Sequence, residues 1–333
     1  MLPPNPHSQP RFTPVQQTDF DALGCKLASI SHGYLPPQIK DFNDTNITSL
    51  YENYNQLYQE FHAHLKPCLS RRLASKLNTT IAHSLPVMNI GTYLRTVSID
   101  FTIIQYIHQL NNSPFQIVNL GSGTDLRAFH YLPQYANLTK FIDVDYPISL
   151  DFKSRAIDGS SYLTSFSTSR YSMVPWDLSK GSLIDILIAN GIDVAIPTIF
   201  ITECVMCYLE DSVANQLIQT IKANFLHGLW ISYDPIAYSE NDRFIAMMNS
   251  NLIELRNLSM PTLLKYNSID KYSNRWVSVF DNLIAYKILS LWDFYMEKLS
   301  NVGKLRLKNL QFLDEIEELK LMQSHYILLS IRW

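Results

Sequence analysis

The chain has 333 residues, of which 47% are hydrophobic and 17% charged, enough for one large domain or two small ones around a sizeable core. Lys and Arg number 27 against 30 Asp and Glu, so the net charge of -3 offers no basic surplus of the kind that nucleic acid or an anionic membrane selects. Nineteen Tyr, 16 Phe and 5 Trp exclude wholesale disorder.

Residues 1–16 carry five prolines and little to bury, and read as a flexible tail. They show no basic stretch followed by an apolar one, so no secretory signal is expected and a cytoplasmic protein is. Residues 17–112 form the second unit, a helical cap: Leu57, Tyr58, Phe61 and Leu65 recur at spacings of three and four, and Tyr93–Leu110 does likewise. From 113 onward strands alternate with helices, which predicts right-handed crossovers and an open parallel sheet. The strand candidates are 115–120, 140–145, 171–176, 198–203 and 228–233. Helices are expected over 125–135, from about Pro147, and over 211–225. The segment of about 240–302 reads as a mostly helical insertion or lid. An amphipathic helix over 312–319 and a last strand over 324–331 follow.

The most apolar stretch, 184–209, is broken by Asp185, Asn190, Asp193, Pro197 and Glu203, which no bilayer span would carry. Four cysteines are too few for a disulfide scaffold. Cys204 and Cys207 form a C-x-x-C, but no second pair exists to complete a zinc site and the thioredoxin-like context is missing. They read as packed thiols. His62 and His64 lie on a helical stretch with no third ligand nearby, so no metal is expected. Neither is an oligomer: no heptad run stands out, and a monomer is the default.

The chain has 10 glycines in 333 residues, so each is informative. Gly121 and Gly123 stand where the first strand ends, the place where a doubly wound sheet brings backbone close to a ligand. Alone, Gly-x-Gly is equally an ordinary tight turn. A dinucleotide fingerprint would add a third glycine where this chain has Leu126 followed by Arg127, and no Gly-Lys-Ser/Thr follows to make a P-loop. Asp145, 22 residues after Gly123, ends the second strand and can accept both hydroxyls of a ribose. Two glycines plus that acid fit an adenosine ligand without a pyrophosphate, of which S-adenosylmethionine is the commonest. Asp177 and the Leu178 backbone N–H after the third strand could read an adenine edge, although Asp177 also suits a helix N-cap. Glu203 ends the fourth strand, where a paired buried acid is the alternative. Four ligand-type groups at four successive strand ends predict a crevice there.

These residues sit in segments that resemble the leucine carboxyl methyltransferases, which methylate the C-terminal leucine of the protein phosphatase 2A catalytic subunit. The resemblance runs from about Gln17 to Trp333 through Thr18–Lys26, Pro86–Arg95, Asn119–Arg127, Asp143–Asp145, Glu203–Tyr208, Tyr233–Pro235 and Asp242–Phe244. It implies a class I S-adenosylmethionine-dependent methyltransferase with a Rossmann-like, doubly wound and mostly parallel sheet. It implies that Lys26, Arg95, Gly121, Asp145, Asp177, Leu178 and Glu203 line the cofactor site. It also implies that Lys26, Arg95 and Tyr208 position the leucine carboxylate, with no residue acting as acid or base. From the residues alone, Lys26 would be a solvated lysine and Arg95 an ion-pair partner. Two departures are visible: Ser122 replaces a usual Cys between the glycines, and Ile245 replaces a usual Gly after Asp-Arg-Phe. The tail and the connection 158–169 match poorly. Competing readings are a relative acting on a wybutosine-type tRNA base, a small-molecule carboxyl methyltransferase, and a non-catalytic phosphatase-binding module with a degenerate pocket. The first of these would carry a long propeller-type extension.

Overall fold

The computed structural model describes residues 12–43 and 47–333. The first helix, α1 (Pro14–Ser31), starts inside the expected tail. Its start has a local cause: Thr13 Oγ1 accepts from Gln16 N while Gln16 Oε1 accepts from Thr13 N, and Pro14 occupies the first helical position. The rest of the expected tail, 1–11, lies outside the described residues. Then come α2 (Tyr54–Leu65), α3 (Arg71–Ala82) and the long α4 (Pro86–Gln109), which runs against the sheet.

Seven strands form one sheet: β1 (Phe115–Leu120), β2 (Leu138–Asp145), β3 (Tyr171–Pro175), β4 (Thr198–Glu203), β5 (Gly228–Pro235), β6 (Ala285–Ser290) and β7 (Tyr326–Arg332). Their order is β3-β2-β1-β4-β5-β7-β6. The first five pair in parallel; β7 runs antiparallel to β5, and β6 antiparallel to β7. Five helices make the crossovers and their neighbours: α5 (Arg127–Gln134), α6 (Pro147–Asp158), α7 (Ser161–Thr164), α8 (Leu183–Ala189) and α9 (Asp211–Asn224). After β5 come α10 (Arg243–Arg256) and α11 (Ile269–Val277), and between β6 and β7 lie α12 (Leu291–Lys298), α13 (Asn301–Leu310) and α14 (Ile316–Ser324).

Strand period then sorts the side chains. Ile117, Phe141, Ile199 and Ile231 face the cap and join Leu57, Phe61, Tyr93 and Phe101 in one apolar cluster. Val118, Val144, Phe200 and Trp230 face the other way, against α8, α9 and α11, with Trp276 and Trp333. The same period puts Asn119, Asp143, Asp145 and Glu203 on the cap side.

Two details differ from what the sequence led one to expect. The segment read as a helical insertion contains β6, an edge strand with Ala285, Tyr286 and Lys287 exposed, so half its residues give no core pattern to read. The helix expected at 312–319 spans 316–324 instead, and Phe312 is left exposed. Ile245 fills a small apolar cluster with Cys207, Ala237, Met260 and Leu263, which accounts for a large residue at that position. Among the described residues no helix is long and apolar enough to cross a membrane.

Candidate functional site

The order of the strands reverses between β1 and β4: the chain goes outward through β2 and β3, then returns to the other side of β1. The carboxyl ends of those two strands diverge into crevice-forming loops, the usual ligand position in a doubly wound sheet. A cavity of about 750 Å³ opens there, within the range of small-ligand sites. Gly121, Asp145, Leu178 and Glu203 line it from the sheet, and Lys26, Arg95 and Tyr208 from other elements. Seven of the eight expected residues are thus brought together.

Asp177 is not among the lining residues. Its Oδ1 accepts from Ser179 N at 2.9 Å and Ser179 Oγ at 2.7 Å, closing a turn after β3, and its neighbours Trp176 and Leu178 face the cavity instead.

The loop after β1 is tightly built. Gly121 has φ +69°, and a Cβ on it would lie 2.5 Å from Val205 Cγ2. Gly123 has φ +47°, and a Cβ there would meet Asp19 Oδ1 at 2.2 Å. Both positions need glycine, for conformation and for space. Gly123 N donates to Asp145 Oδ2 at 2.7 Å, and Tyr146 N to Asp145 Oδ1 at 2.6 Å. Burial raises the Asp145 carboxyl, and those two N–H groups pull it back. The next amide, Thr124 N, donates to Asp19 Oδ1 at 2.8 Å, as does Thr124 Oγ1. Asp19 comes from α1 and was not foreseen, because nothing in a helical Thr-Asp-Phe-Asp run distinguishes a residue aimed into a crevice from a solvated one. Burial and the charge of Asp145 lift its carboxyl to about 6.

Glu203 is the centre of a buried charge array. Arg95 Nε bonds its Oε1, and Arg127 Nη1 bonds its Oε2 at 2.5 Å. Burial opposes ionisation, but Arg95 and Arg127 together hold the carboxyl down at about 2. Arg127 also donates to Asp125 Oδ2 at 2.7 Å and to Asp100 Oδ1 at 2.8 Å. Lys26 Nζ stands 3.7 Å from Asp125 Oδ1 and over the Tyr58 ring. Burial lowers the Lys26 ammonium, and Asp125 and Glu203 counter it. Arg95 lies over the Tyr233 ring, with its centre 5.3 Å away. The Tyr208 hydroxyl is pushed well up by burial and packs against Thr18 of α1. Asp100, Asp125 and Arg127 were not foreseen as a group: Arg127 follows the glycine loop, but its partners Asp100 and Glu203 lie 27 residues upstream and 76 downstream.

Beyond this array the cavity turns apolar, walled by Val87 and Met88 of α4 and by Met247, Met248, Leu252 and Leu255 of α10. Cys204 adopts φ +59° and lines the wall beside Arg95, while Cys207 is buried and its backbone N–H donates to Asp234. Both are free thiols.

The solved structure of a putative methyltransferase from Thermobifida fusca superimposes with a TM-score of 0.51 over 82% of this chain and 93% of that one, at 9% identity. That likeness, with the strand order, makes the fold class I methyltransferase-like and Rossmann-related. The family model for leucine carboxyl methyltransferase matches residues 38–222. Leucine carboxyl methyltransferase 1 of Kluyveromyces lactis is 38% identical, covering 96% of this chain and 98% of its own. The protein of the same name from Eremothecium gossypii is 39% identical, with 96% and 99% covered, and that from Schizosaccharomyces pombe is 28% identical, with 94% and 93% covered. A match over more than half the chain, and relatives this similar over nearly all of it, place the protein in the leucine carboxyl methyltransferase family.

Proposed function

We propose that this protein is an S-adenosylmethionine-dependent carboxyl O-methyltransferase that esterifies the C-terminal leucine of the protein phosphatase 2A catalytic subunit in the cytoplasm. Methylation there would act on assembly of the phosphatase holoenzyme. The observation that carries this reading is the cavity that joins Arg95 and Lys26 of the cap to the glycine loop and Glu203 of the sheet. It has an acid-rich end and a cation-bearing middle. Its apolar far end suits a leucine side chain.

The residues fit the cofactor. Gly121 and Gly123 leave room where any Cβ would intrude, Asp145 presents a carboxylate at the ribose position, and Leu178 and Trp176 supply an apolar wall for an adenine. The cofactor would bring a methyl group on a sulfonium. A C-terminal carboxylate, with an ordinary pKa near 3.3–3.7, is already an anionic nucleophile at pH 7, so the reaction requires no general base. One carboxylate oxygen would bond to the methyl carbon as the carbon–sulfur bond breaks, the electron pair passing to sulfur and the two charges cancelling. Arg95 and Lys26 would hold the carboxylate in line, and the Tyr208 hydroxyl could orient one oxygen without neutralising it. Orientation of two bound reactants contributes about 7–11 kcal/mol. The apolar walls keep out water, which would otherwise quiet the nucleophile.

The test is incubation with methyl-labelled S-adenosylmethionine and the phosphatase catalytic subunit, with and without its terminal leucine. Label that depends on the leucine and is released by alkali supports the reading. No label on either form, with cofactor binding intact, refutes the substrate.

A further inference from the structure

Glu203 has two guanidinium partners that differ in one respect. Arg127 is 3% exposed and bonded to three carboxylates, whereas the Arg95 side chain is 25% exposed and has Glu203 as its acceptor among the described residues. Asp100, the far anchor of Arg127, also accepts from the hydroxyls of Tyr51 and Tyr131. Asp125, its middle partner, accepts from Asn119 Nδ2 at 3.0 Å. Arg127 is therefore fixed from three elements: α4 through Asp100, the glycine loop through Asp125 and the end of β4 through Glu203. The array contains three cations, Lys26, Arg95 and Arg127, and three carboxylates, Asp100, Asp125 and Glu203, so it is balanced without any ligand.

This inference rests on the carboxylate substrate proposed above. An incoming carboxylate must compete with Glu203 for Arg95. If Arg95 were the sole partner of Glu203, releasing it would strand a buried charge, which is strongly unfavourable. We propose that Arg127 is a positioning residue for the reaction: it keeps Glu203 and Asp125 paired and in place, so that Arg95 can turn from Glu203 to the substrate carboxylate. In the unliganded protein, Glu203 then occupies Arg95 as the substrate carboxylate later would. The inner guanidinium fixes the site and the outer one serves the substrate.

Removing Arg127 alone would leave three buried carboxylates short of charge, so the informative variant of the full-length protein is Arg127→Gln with Asp100→Asn, which removes one charge of each sign. Three readouts apply. The first is titration of the Glu203 carboxyl by carbon-13 NMR without ligand. The second is S-adenosylhomocysteine binding by calorimetry at pH 8. The third is kcat and KM for the phosphatase. We expect the Glu203 titration to move upward by about one pH unit or more, as loss of an adjacent cation does. The substrate KM should rise about tenfold or more while affinity for S-adenosylhomocysteine at pH 8 changes less. Arg127→Lys, which keeps the charge but cannot fork to three acceptors, should recover part of each effect, and it is the fallback should the double variant not fold. An unshifted titration with wild-type KM would overturn the proposal, as would a KM that recovers fully in neither variant while the titration stays put, since Arg127 would then be a core brace. Failure of the wild-type protein to methylate the phosphatase refutes the substrate reading instead. The ligand-free titration still decides whether Arg127 holds Glu203.

Discussion

The floor of the cavity comes from strand ends and its roof from helices. Gly121, Asp145 and Glu203 take their places because a parallel strand has a period of two and stops at a defined edge. Around the first two the neighbours are close and fixed, Gly123 N and Tyr146 N on Asp145 and the Val205 side chain over Gly121, while Glu203 joins the floor to the charge array. Asp19, Lys26 and Arg95 are delivered instead by α1 and α4, from turns of helices whose other faces are buried in the cap. Their positions depend on how a whole helix docks. The floor is therefore steric and intolerant, whereas the roof is electrostatic and graded. Substitutions in the two regions should fail in different ways.

The largest effect belongs to the floor. Gly121→Val places a β-branched side chain at positive φ and within 2.5 Å of Val205 Cγ2, costing about 1–3 kcal/mol of strain and filling the ligand's approach. S-adenosylhomocysteine binding should fall below detection by calorimetry while the far-ultraviolet circular dichroism spectrum stays native. Retention of binding within tenfold would show that the loop can move, and the steric description would fail.

The groups proposed to hold the substrate carboxylate should rank by charge. Arg95→Ala removes the cation proposed to take the substrate carboxylate and leaves Glu203 with one guanidinium partner. Loss of one member of a buried charge pair costs about 2–5 kcal/mol, so single-turnover rates should drop by about two to three orders of magnitude. Tyr208→Phe removes an orienting hydroxyl and should cost about tenfold or less. Equal losses would break the ranking.

This difference also explains how much could be read from the sequence. The strands 115–120 and 198–203 are found at the expected bounds, because a short apolar run between turn residues is a local signal. The edge strand β6 and the helix over 183–189 were not foreseen. Tyr286-Lys287 gives an exposed strand no apolar alternation, and the helix is a seven-residue run, apolar but for Asp185, too short to show a helical period. In the site, Gly121, Asp145 and Glu203 were legible from position alone. Lys26, Arg95 and Tyr208 came forward through the resemblance. Asp19, Asp100 and Arg127 were illegible, since their meaning lies in contacts across 105, 27 and 76 residues of sequence.

A third, smaller effect tests the seam between roof and floor. The Asp19 carboxyl is lifted by burial and by Asp145 from 3.8 to about 6. The folded protein then binds more protons at this group than the unfolded chain does between those values. Stability must therefore fall as pH rises through that window and stay lower above it. Asp19→Asn keeps an oxygen for Thr124 N and Oγ1 but removes the charge beside Asp145. Its melting temperature should exceed that of the wild type by roughly 2 °C or more at pH 7–8, with the difference vanishing below about pH 4. A variant destabilised only above about pH 4 would mean that the ionised form is bound favourably.

The smallest effect is expected at Asp177, although it stands at a strand end like Asp145. Asp145 holds two loop amides and lines the cavity, whereas Asp177 spends its Oδ1 on Ser179 and leaves the lining to Trp176 and Leu178. If contact geometry rather than position sets the contribution, Asp177→Ala should weaken S-adenosylhomocysteine binding by about tenfold or less, near 1.4 kcal/mol, and Asp145→Ala by about a hundredfold or more. Equal losses would mean that ligand binding breaks the Asp177–Ser179 turn and draws the carboxylate inward. The floor would then share the graded character of the roof, and the contrast between the two regions would narrow to the glycine loop.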